Sequence, residues 1–307
     1  MNNGEQIDSI LLDFSKAFDK VNHRKLCQKL HHYGIRGKNL NWIKCFLMNR
    51  TQQVVLNGKK SSIASVTSGV PQGTVLAPIL FLIYINDLTS YVNSTIRLFA
   101  DDAYLYRKVE TQEDPQILRK DLENLEVWEK MHDMEFHPDK CKVLRITAKT
   151  KPIVTKYELH NEKLKCVDEA KYLGVIIHKK LSWKPHVHSI CKKARQIISF
   201  LQRNLKNCEK NLKEKAYKIY VQPILNYASC VWNPVGYGNK GLEDEIGMIE
   251  RRGARFVYGD WRRLSSPTLM ISDLAWVSLK HQRKFKSLIM MMKIINKQIV
   301  IPTSILP

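Results

Sequence analysis

The sequence lacks the features of a membrane-spanning or disulfide-stabilised protein. Its longest apolar run, from Val75 to Ile85, is shorter than the roughly 20 residues that a helix needs to cross a bilayer. Its seven cysteines are odd in number and include no Cys-x-x-Cys pair, which argues against a disulfide framework and against a zinc ribbon. We therefore expect no membrane partner and an intracellular, reducing environment.

Acidic residues are also scarce. The 307-residue chain has 29 Asp and Glu against 50 Lys and Arg, for a net charge of +21. The excess lies mainly in one half, because residues 1–150 carry +4 (21 − 17) and residues 151–307 carry +17 (29 − 12). Such an excess indicates a polyanionic partner, of which nucleic acid is the commonest, although a basic surface that only maintains solubility is the alternative.

Apolar periodicity predicts an α+β fold that becomes mostly helical toward the C-terminus. Residues 10–13 form a short apolar run that ends in an acid, and residues 96–108 alternate like a hairpin. We also predict one helix that ends at Gly34, three more at about 38–49, 75–88 and 112–133, and a helical region from Pro185 to about 297. Paired strands are predicted at 52–56 and 62–67, single strands at 141–146 and 172–177, and a polar hairpin around 148–165.

Three aspartates stand out chemically. Asp13 ends the first predicted strand, and Asp101 and Asp102 lie at the tip of the second predicted hairpin. Adjacent carboxylates repel each other unless a cation neutralises them, and hard oxygen ligands without nearby His or Cys favour Mg²⁺. Paired Mg²⁺ ions assist in-line phosphoryl transfer. An isolated Asp-Asp turn is nevertheless more often a solvated loop, so these residues alone do not establish a metal site.

Five segments, in order, resemble the palm motifs of LINE-type (non-LTR), jockey-like retrotransposon reverse transcriptases. They are residues 12–23, residues 68–78, residues 99–102, Trp128 with Lys140, and residues 172–175, and the similarity continues through Tyr227 and Trp232. The resemblance implies a right-hand palm over residues 1–178, with an antiparallel sheet and helices on one face. A basic, mostly helical thumb and C-terminal region would occupy residues 179–307.

The same resemblance implies an RNA-directed DNA polymerase and assigns roles to matching residues. Asp13 and Asp101 would bridge two Mg²⁺ ions, with the backbone carbonyl of Phe14 as a further ligand and Asp102 assisting. Lys140 would protonate the departing pyrophosphate. The nucleotide pocket would contain Phe18, Gln72, Gly73 and Ala100. Phe18 would exclude a 2′-hydroxyl, and its alternative or additional role is core packing. The primer grip would be Tyr172, Leu173 and Gly174. Phosphates would meet six basic residues, each of which has a solvated helix face as its alternative: Lys192, Lys193, Arg195, Arg203, Lys206 and Lys210.

Two motif residues, Asp19 and His23, are expected to have structural roles near the strand end. The implied partners are an RNA template, a DNA primer and deoxynucleoside triphosphates, and the implied location is nuclear or cytoplasmic.

Only twelve residues precede Asp13, where the family places a fingers region, and the endonuclease domain of complete elements is also missing. We therefore expect a truncated copy whose metal site forms but whose polymerisation is weak or absent on its own. One alternative is a catalytically silent, nucleic-acid-binding remnant of the same family. Another is a Mg²⁺-dependent nuclease, against which the Pro71-Gln72-Gly73 loop argues, since a nuclease needs no nucleotide pocket.

Overall fold

The computed structural model describes residues 5–234 and 239–299, and it confirms the mixed α+β fold with a helical C-terminal part. The chain divides into two compact units. The first contains the described residues as far as Ala170 together with His178–Lys180, and the second contains Lys171–Ile177 and the described residues from Leu181 onward. The assignment of these units to a palm and a thumb stays a prediction.

The first unit is built on a five-stranded sheet that contains β1 (Gln6–Asp13), β6 (Thr95–Phe99), β7 (Asp102–Lys108), β8 (Lys142–Thr147) and β11 (Lys165–Val167). Their order across the sheet is β11-β8-β1-β7-β6. All neighbours are antiparallel except β11, which runs parallel to β8. The central strand β1 is buried along most of its length, and Ile10 and Leu12 are almost fully enclosed.

Small hairpins surround this sheet. The hairpin predicted at 52–67 is confirmed, but it is divided into two short ladders, β2 (Arg50–Gln52) with β5 (Ala64–Val66) and β3 (Val55–Leu56) with β4 (Lys59–Lys60). Asn57 and Gly58 form its tip, with φ angles of 50° and 78° that suit a tight two-residue turn. The polar hairpin is β9 (Glu158–Leu159) with β10 (Glu162–Lys163).

Four helices complete the first unit, at the positions that apolar periodicity predicts. They are α1 (His23–His32), α2 (Gly37–Leu47), α3 (Leu76–Ile85) and α4 (Asp114–His132), and a 3₁₀ helix, Asn86–Tyr91, follows α3 directly. Gly34 (φ 87°) follows α1, as expected of a residue that ends a helix. Leu118, Leu122, Leu125 and Trp128 form the buried face of α4.

The second unit is helical around its own core. The helices are α5 (Lys184–Asn204), α6 (Lys210–Tyr220), α7 (Gln222–Asn226), α8 (Ser229–Trp232), α9 (Lys240–Tyr258), α10 (Pro267–Asp273) and α11 (Leu279–Ile295). Val187, Ile198, Trp232 and Ile246 are among its fully buried residues. Across the described ranges, no helix is both long enough and apolar enough to cross a membrane.

One predicted strand is wrong. Residues 172–177 are not a continuous strand, because β12 (Glu169–Tyr172) ends before Leu173 and β13 (Val175–His178) begins after Gly174. Leu173 and Gly174 have φ angles of 45° and 82°, so the chain turns back on itself here. Leucine is uncommon in this conformation, which is why the sequence pattern indicated a strand.

Candidate active site

The pairing of β1 with β7 determines which aspartate faces Asp13. Their antiparallel register pairs Ile7 with Lys108 at one end and Asp13 with Asp102 at the other. Residues directly opposite each other in an antiparallel pair extend side chains on the same face, about 4.5–5.5 Å apart at Cβ. Asp13 and Asp102 therefore lie side by side at the end of the sheet.

Asp101 lies beside this pair in the turn that joins β6 to β7. Phe99 pairs with Asp102, which leaves Ala100 and Asp101 as the two turn residues. Ala100 has a φ angle of 50°, in the left-handed region that residues with a Cβ adopt at a cost of about 1–2 kcal/mol. The tight turn thus keeps three carboxylates near one another, although only Asp102 is in register with Asp13.

The electrostatics of the site follow from this crowding. Partial burial raises the pKa of Asp102, and the neighbouring carboxylates of Asp101 and Asp13 raise it further. A cation is also present, because the Lys140 ammonium lies 3.6 Å from Oδ2 of Asp13. Both side chains of that pair remain substantially exposed, so the site is open to solvent and to ligands.

A loop before β8 holds Asp13 and Lys140 together through backbone contacts. The His137 N–H donates to the Asp13 carbonyl (2.8 Å), and the Lys140 N–H donates to the His137 carbonyl (3.0 Å). The Ser15 N–H donates to the Glu135 carbonyl (2.7 Å), which makes Phe14 and Phe136 an antiparallel bridge without direct hydrogen bonds. In that pattern the Phe14 carbonyl points to the opposite edge of the strand, which is the edge that faces β7.

Glu129 supports this loop, and sequence reasoning did not identify it. Its buried carboxylate accepts hydrogen bonds from the Phe136 N–H and from Nε2 of His160, the latter at 2.7 Å. Phe136 in turn stacks on Phe14, with ring centroids 4.2 Å apart. Burial raises the pKa of Glu129 despite these contacts. No sequence signal identifies Glu129, because its partners come from other parts of the chain.

The loop at 68–73 is held against the segment that follows Asp13. Nε2 of Gln72 donates to Oδ1 of Asp19 (3.0 Å), and Nε2 of His23 lies 2.8 Å from the Gly69 carbonyl. A Cβ on Gly69 would lie 2.8 Å from the Cα of Asp19, so only glycine allows this approach. The structural roles expected of Asp19 and His23 are confirmed.

Other predicted nucleotide-pocket residues lie near this loop. Phe18 is half-buried and stacks on Phe81, with ring centroids 4.6 Å apart. Its backbone carbonyl accepts the Val70 N–H (2.8 Å). Gly73 has a φ angle of 81° and an open space where a Cβ would be, so its backbone conformation, and not a close neighbour, requires glycine.

The donor set suits a hard divalent cation. It consists of three carboxylates and the Phe14 carbonyl, and oxygen ligands are those that Mg²⁺ prefers. Among the described residues, no three His, Cys, Asp or Glu side chains are gathered closely enough to enclose a metal ion by themselves. Mg²⁺ in phosphoryl-transfer sites usually binds one or two carboxylates and completes its shell with substrate phosphates and water. The residues therefore fit such an ion.

The predicted primer-grip residues lie in the second unit, at the turn between β12 and β13. The Tyr227 hydroxyl donates to the Leu173 carbonyl (3.0 Å). A Cβ on Gly174 would lie 3.0 Å from Cε1 of Tyr227, so the ring packs directly on the turn. Tyr172, Leu173 and Gly174 thus form a rigid tip, and their contact with a primer stays a prediction.

The six predicted phosphate contacts have different surroundings. Arg195 pairs with Glu245 (3.0 Å), and Lys210 pairs with Asp273 (2.9 Å) and lies over the ring of Tyr258. The remaining four are exposed on α5 or directly after it, and they are Lys192, Lys193, Arg203 and Lys206.

Comparisons with known proteins show which family this chain resembles. The probable RNA-directed DNA polymerase of transposon BS from Drosophila melanogaster is 27% identical over 272 residues, 82% of this chain and 29% of that protein. The RNA-directed DNA polymerase of mobile element jockey from Drosophila funebris is 30% identical over 269 residues, 83% of this chain and 29% of its own length. This chain therefore spans less than a third of these relatives.

A solved structure of telomerase from Candida albicans is similar at 9% identity with a TM-score of 0.45, covering 89% of this chain and 50% of that one. The model of the family "Reverse transcriptase (RNA-dependent DNA polymerase)" matches residues 6–177, which is more than half of the chain. The chain therefore belongs to the reverse transcriptase family, in which it is related to the enzymes of the jockey, BS and X-element non-LTR retrotransposons.

Proposed function

We propose that this chain carries the nucleotidyl-transfer site of an RNA-directed DNA polymerase, which joins a deoxynucleotide to a primer 3′-hydroxyl on an RNA template. The observation that supports this most is the register of β1 with β7, which pairs Asp13 with Asp102 beside Asp101 in the turn. Three carboxylates at an exposed sheet end repel each other, and a divalent cation would offset that repulsion.

Asp13, Asp101, Asp102 and the Phe14 carbonyl would hold two Mg²⁺ ions. Bound there, the ions would activate the attacking hydroxyl and stabilise charge on the leaving pyrophosphate. The protein's own contribution is to keep its carboxylates aligned. The backbone bond between His137 and Asp13 restrains the end of β1, and the tight turn restrains Asp101.

Two side chains would complete the chemistry around the nucleotide. Lys140, 3.6 Å from Asp13, would donate a proton to the departing pyrophosphate. Gln72, fixed by its bond to Asp19, and Gly73 would line the pocket, where the absence of a side chain lets the backbone approach the nucleotide. Phe18, braced by Phe81, would exclude a 2′-hydroxyl and so select deoxynucleotides.

Primer extension on an RNA template tests this proposal. The parent chain is compared with Asp13→Asn and Asp102→Asn. The control is Asp139→Asn, which removes the charge of a carboxylate that is 85% exposed on the loop beside Lys140. We expect weak, Mg²⁺-dependent extension by the parent and the control, and a loss of at least about 100-fold in the other two, since metal ligands contribute several kcal/mol.

Other outcomes would select the alternatives. Template–primer binding by all variants without extension by any would indicate a silent nucleic-acid-binding domain. Cleavage of the strands without deoxynucleotides, lost in Asp102→Asn, would indicate a nuclease.

A further inference from the structure

A cavity lies in the helical unit, formed by the C-terminal half of α5, the start of α6 and the end of α9. Its volume is about 630 Å³, within the range of roughly 300–1,000 Å³ typical of small-molecule sites. Its lining contains three cationic side chains, Arg203, Lys206 and Lys213, and none that is acidic. Such a concentration of positive charge favours an anionic ligand.

The cations are partly fixed in position. The Lys213 ammonium donates to the Lys206 carbonyl (3.0 Å), which uses one of its three N–H donors and orients the other two. Gly259, which follows α9 at a φ angle of 67°, would place a Cβ 3.8 Å from that ammonium. The chain thus passes close to Lys213 without a side chain between them. Arg203 and Lys206, which also line the cavity, are exposed.

An aromatic ring lies in the same cavity. Trp261 lines it and keeps 41% of its surface exposed. The guanidinium of Arg252 lies over this ring, 5.7 Å from its centroid, and is held by Ser199, whose hydroxyl accepts from Nη2 (3.4 Å). The Nε–H of Arg252 is buried and has no acceptor among the described residues. An exposed indole on the wall of a cationic cavity offers a planar surface for stacking.

We propose that this cavity holds one unpaired nucleotide of a single-stranded nucleic acid, with its base on Trp261 and its phosphate against Arg203, Lys206 and Lys213. A nucleotide supplies both features that the cavity matches, a π face and an anion a fixed distance away. An acidic peptide would match the cations and leave the indole unused. A phosphate contact alone would be insensitive to pairing, whereas stacking needs a base that is splayed out of a duplex.

This inference rests on the proposed function in that it assumes a nucleic-acid partner, and it adds a site that prefers single strands. A strand held there would be a template or a primer segment before or after its passage through a duplex. The proposed catalytic site requires no such pocket, so the two proposals fail separately.

Fluorescence anisotropy of a labelled uridine oligonucleotide, measured with the full chain, tests the site. Trp261→Leu should weaken binding roughly tenfold, and Trp261→Phe should retain most of it because a ring remains. Trp42→Leu is the matched control, since Trp42 is 62% exposed, lies in the other unit and stacks on a neighbour, Phe46, as a surface pair. Circular dichroism establishes that each variant is folded.

The contribution of the cationic side chains to binding is tested separately, with its own control. Lys213→Gln should lower both the affinity and its salt dependence, by a slope of about 0.7 for one lost phosphate contact on a single strand. Lys280→Gln removes an equal charge from a lysine that pairs with Glu243 and should leave both unchanged. Binding of an RNA–DNA duplex should be the same in the parent, Trp261→Leu and Trp42→Leu.

Four results would overturn the inference. One is equal binding of the oligonucleotide by Trp261→Leu and Trp42→Leu with duplex binding intact, which would leave the proposed function standing. A second is displacement of the oligonucleotide by uridine monophosphate at similar concentrations, which would identify a free-nucleotide site. A third is displacement by polyglutamate, which would identify an acidic-peptide site. Failure of the parent to bind either nucleic acid would overturn both proposals.

Discussion

We predict that replacing glycine by alanine has opposite effects on stability at two positions of α9. Gly253 lies where α9 packs on α6, and a Cβ built on it would fall 2.7 Å from Cζ and 2.8 Å from Cδ2 of Tyr217. Carbon atoms in favourable contact lie about 3.5–4.0 Å apart. Tyr217 has little room to move, because it is 2% exposed and its ring stacks on Trp276 at 4.5 Å.

The size of the effect follows from two opposing contributions. Overpacking of a buried contact costs about 1–3 kcal/mol, and the higher helix propensity of alanine offsets about 1 kcal/mol of that. We therefore expect Gly253→Ala to lower the free energy of unfolding of the helical unit by up to about 2 kcal/mol. Gly247→Ala, on the same helix, meets only Nη1 of Arg251 at 3.5 Å and should raise it by about 0.5–1 kcal/mol.

Urea unfolding monitored by far-ultraviolet circular dichroism measures both changes. The near-ultraviolet signal reports the stack of Tyr217 on Trp276, which Gly253→Ala should perturb and Gly247→Ala should not. Stabilisation by both substitutions to the same extent would refute the reasoning, because it would mean that the Tyr217 ring has room for a methyl group.

Two further substitutions test contacts of the first unit and of the turn between β12 and β13. Asp87→Asn weakens an acceptor of hydrogen bonds from Lys29 (2.7 Å) and Trp128 (3.1 Å), and because the carboxylate is about one-third exposed we expect a loss of about 1–2 kcal/mol in urea unfolding. Burial alone would raise the pKa of Asp87, but its hydrogen bonds outweigh burial and lower the pKa. The stabilisation is therefore present above the pKa of an unfolded aspartate, about 3.9, and is lost as the pH falls below that value. A difference in stability between parent and variant that does not depend on pH would contradict this. Gly174→Ala should cost about 1–2 kcal/mol, and more than Gly58→Ala, since both have positive φ angles and only Gly174 faces a ring; equal losses in a denaturation experiment would show that Tyr227 yields.

Local patterns predicted most elements of the first unit. The apolar run before Asp13, the alternation of 96–108 and the stripe from Leu118 to Trp128 each have one clear period, and each corresponds to the expected strand, hairpin or helix. The strand predicted at 172–177 was wrong because its turn depends on Tyr227, 54 residues away, which holds the Leu173 carbonyl. The sequence near residues 172–177 gives no indication of a contact with a residue so far along the chain.

The aspartates of the candidate site were predicted from the sequence, but the strand register that pairs them was not. The ordered motifs identified Asp13, Asp101 and Asp102, but the sequence does not show which of the adjacent pair is in register with Asp13. That depends on the two-residue turn at Ala100, an amino acid that seldom adopts a positive φ angle. Glu129, in helix α4, was not predicted from the sequence. Its role arises from the backbone N–H of Phe136 and from His160, which both lie beyond the end of that helix.

The central claim is that the end of the β1–β7 pair binds divalent cations through Asp13 and Asp102. An electron paramagnetic resonance titration of Mn²⁺, with a non-hydrolysable deoxynucleotide present, measures this without requiring turnover. We expect Asp13→Asn and Asp102→Asn each to weaken Mn²⁺ binding by at least about tenfold, since a direct ligand contributes more than an outer-shell partner. Asp139→Asn should bind Mn²⁺ like the parent, and equal binding by all four proteins would contradict the account.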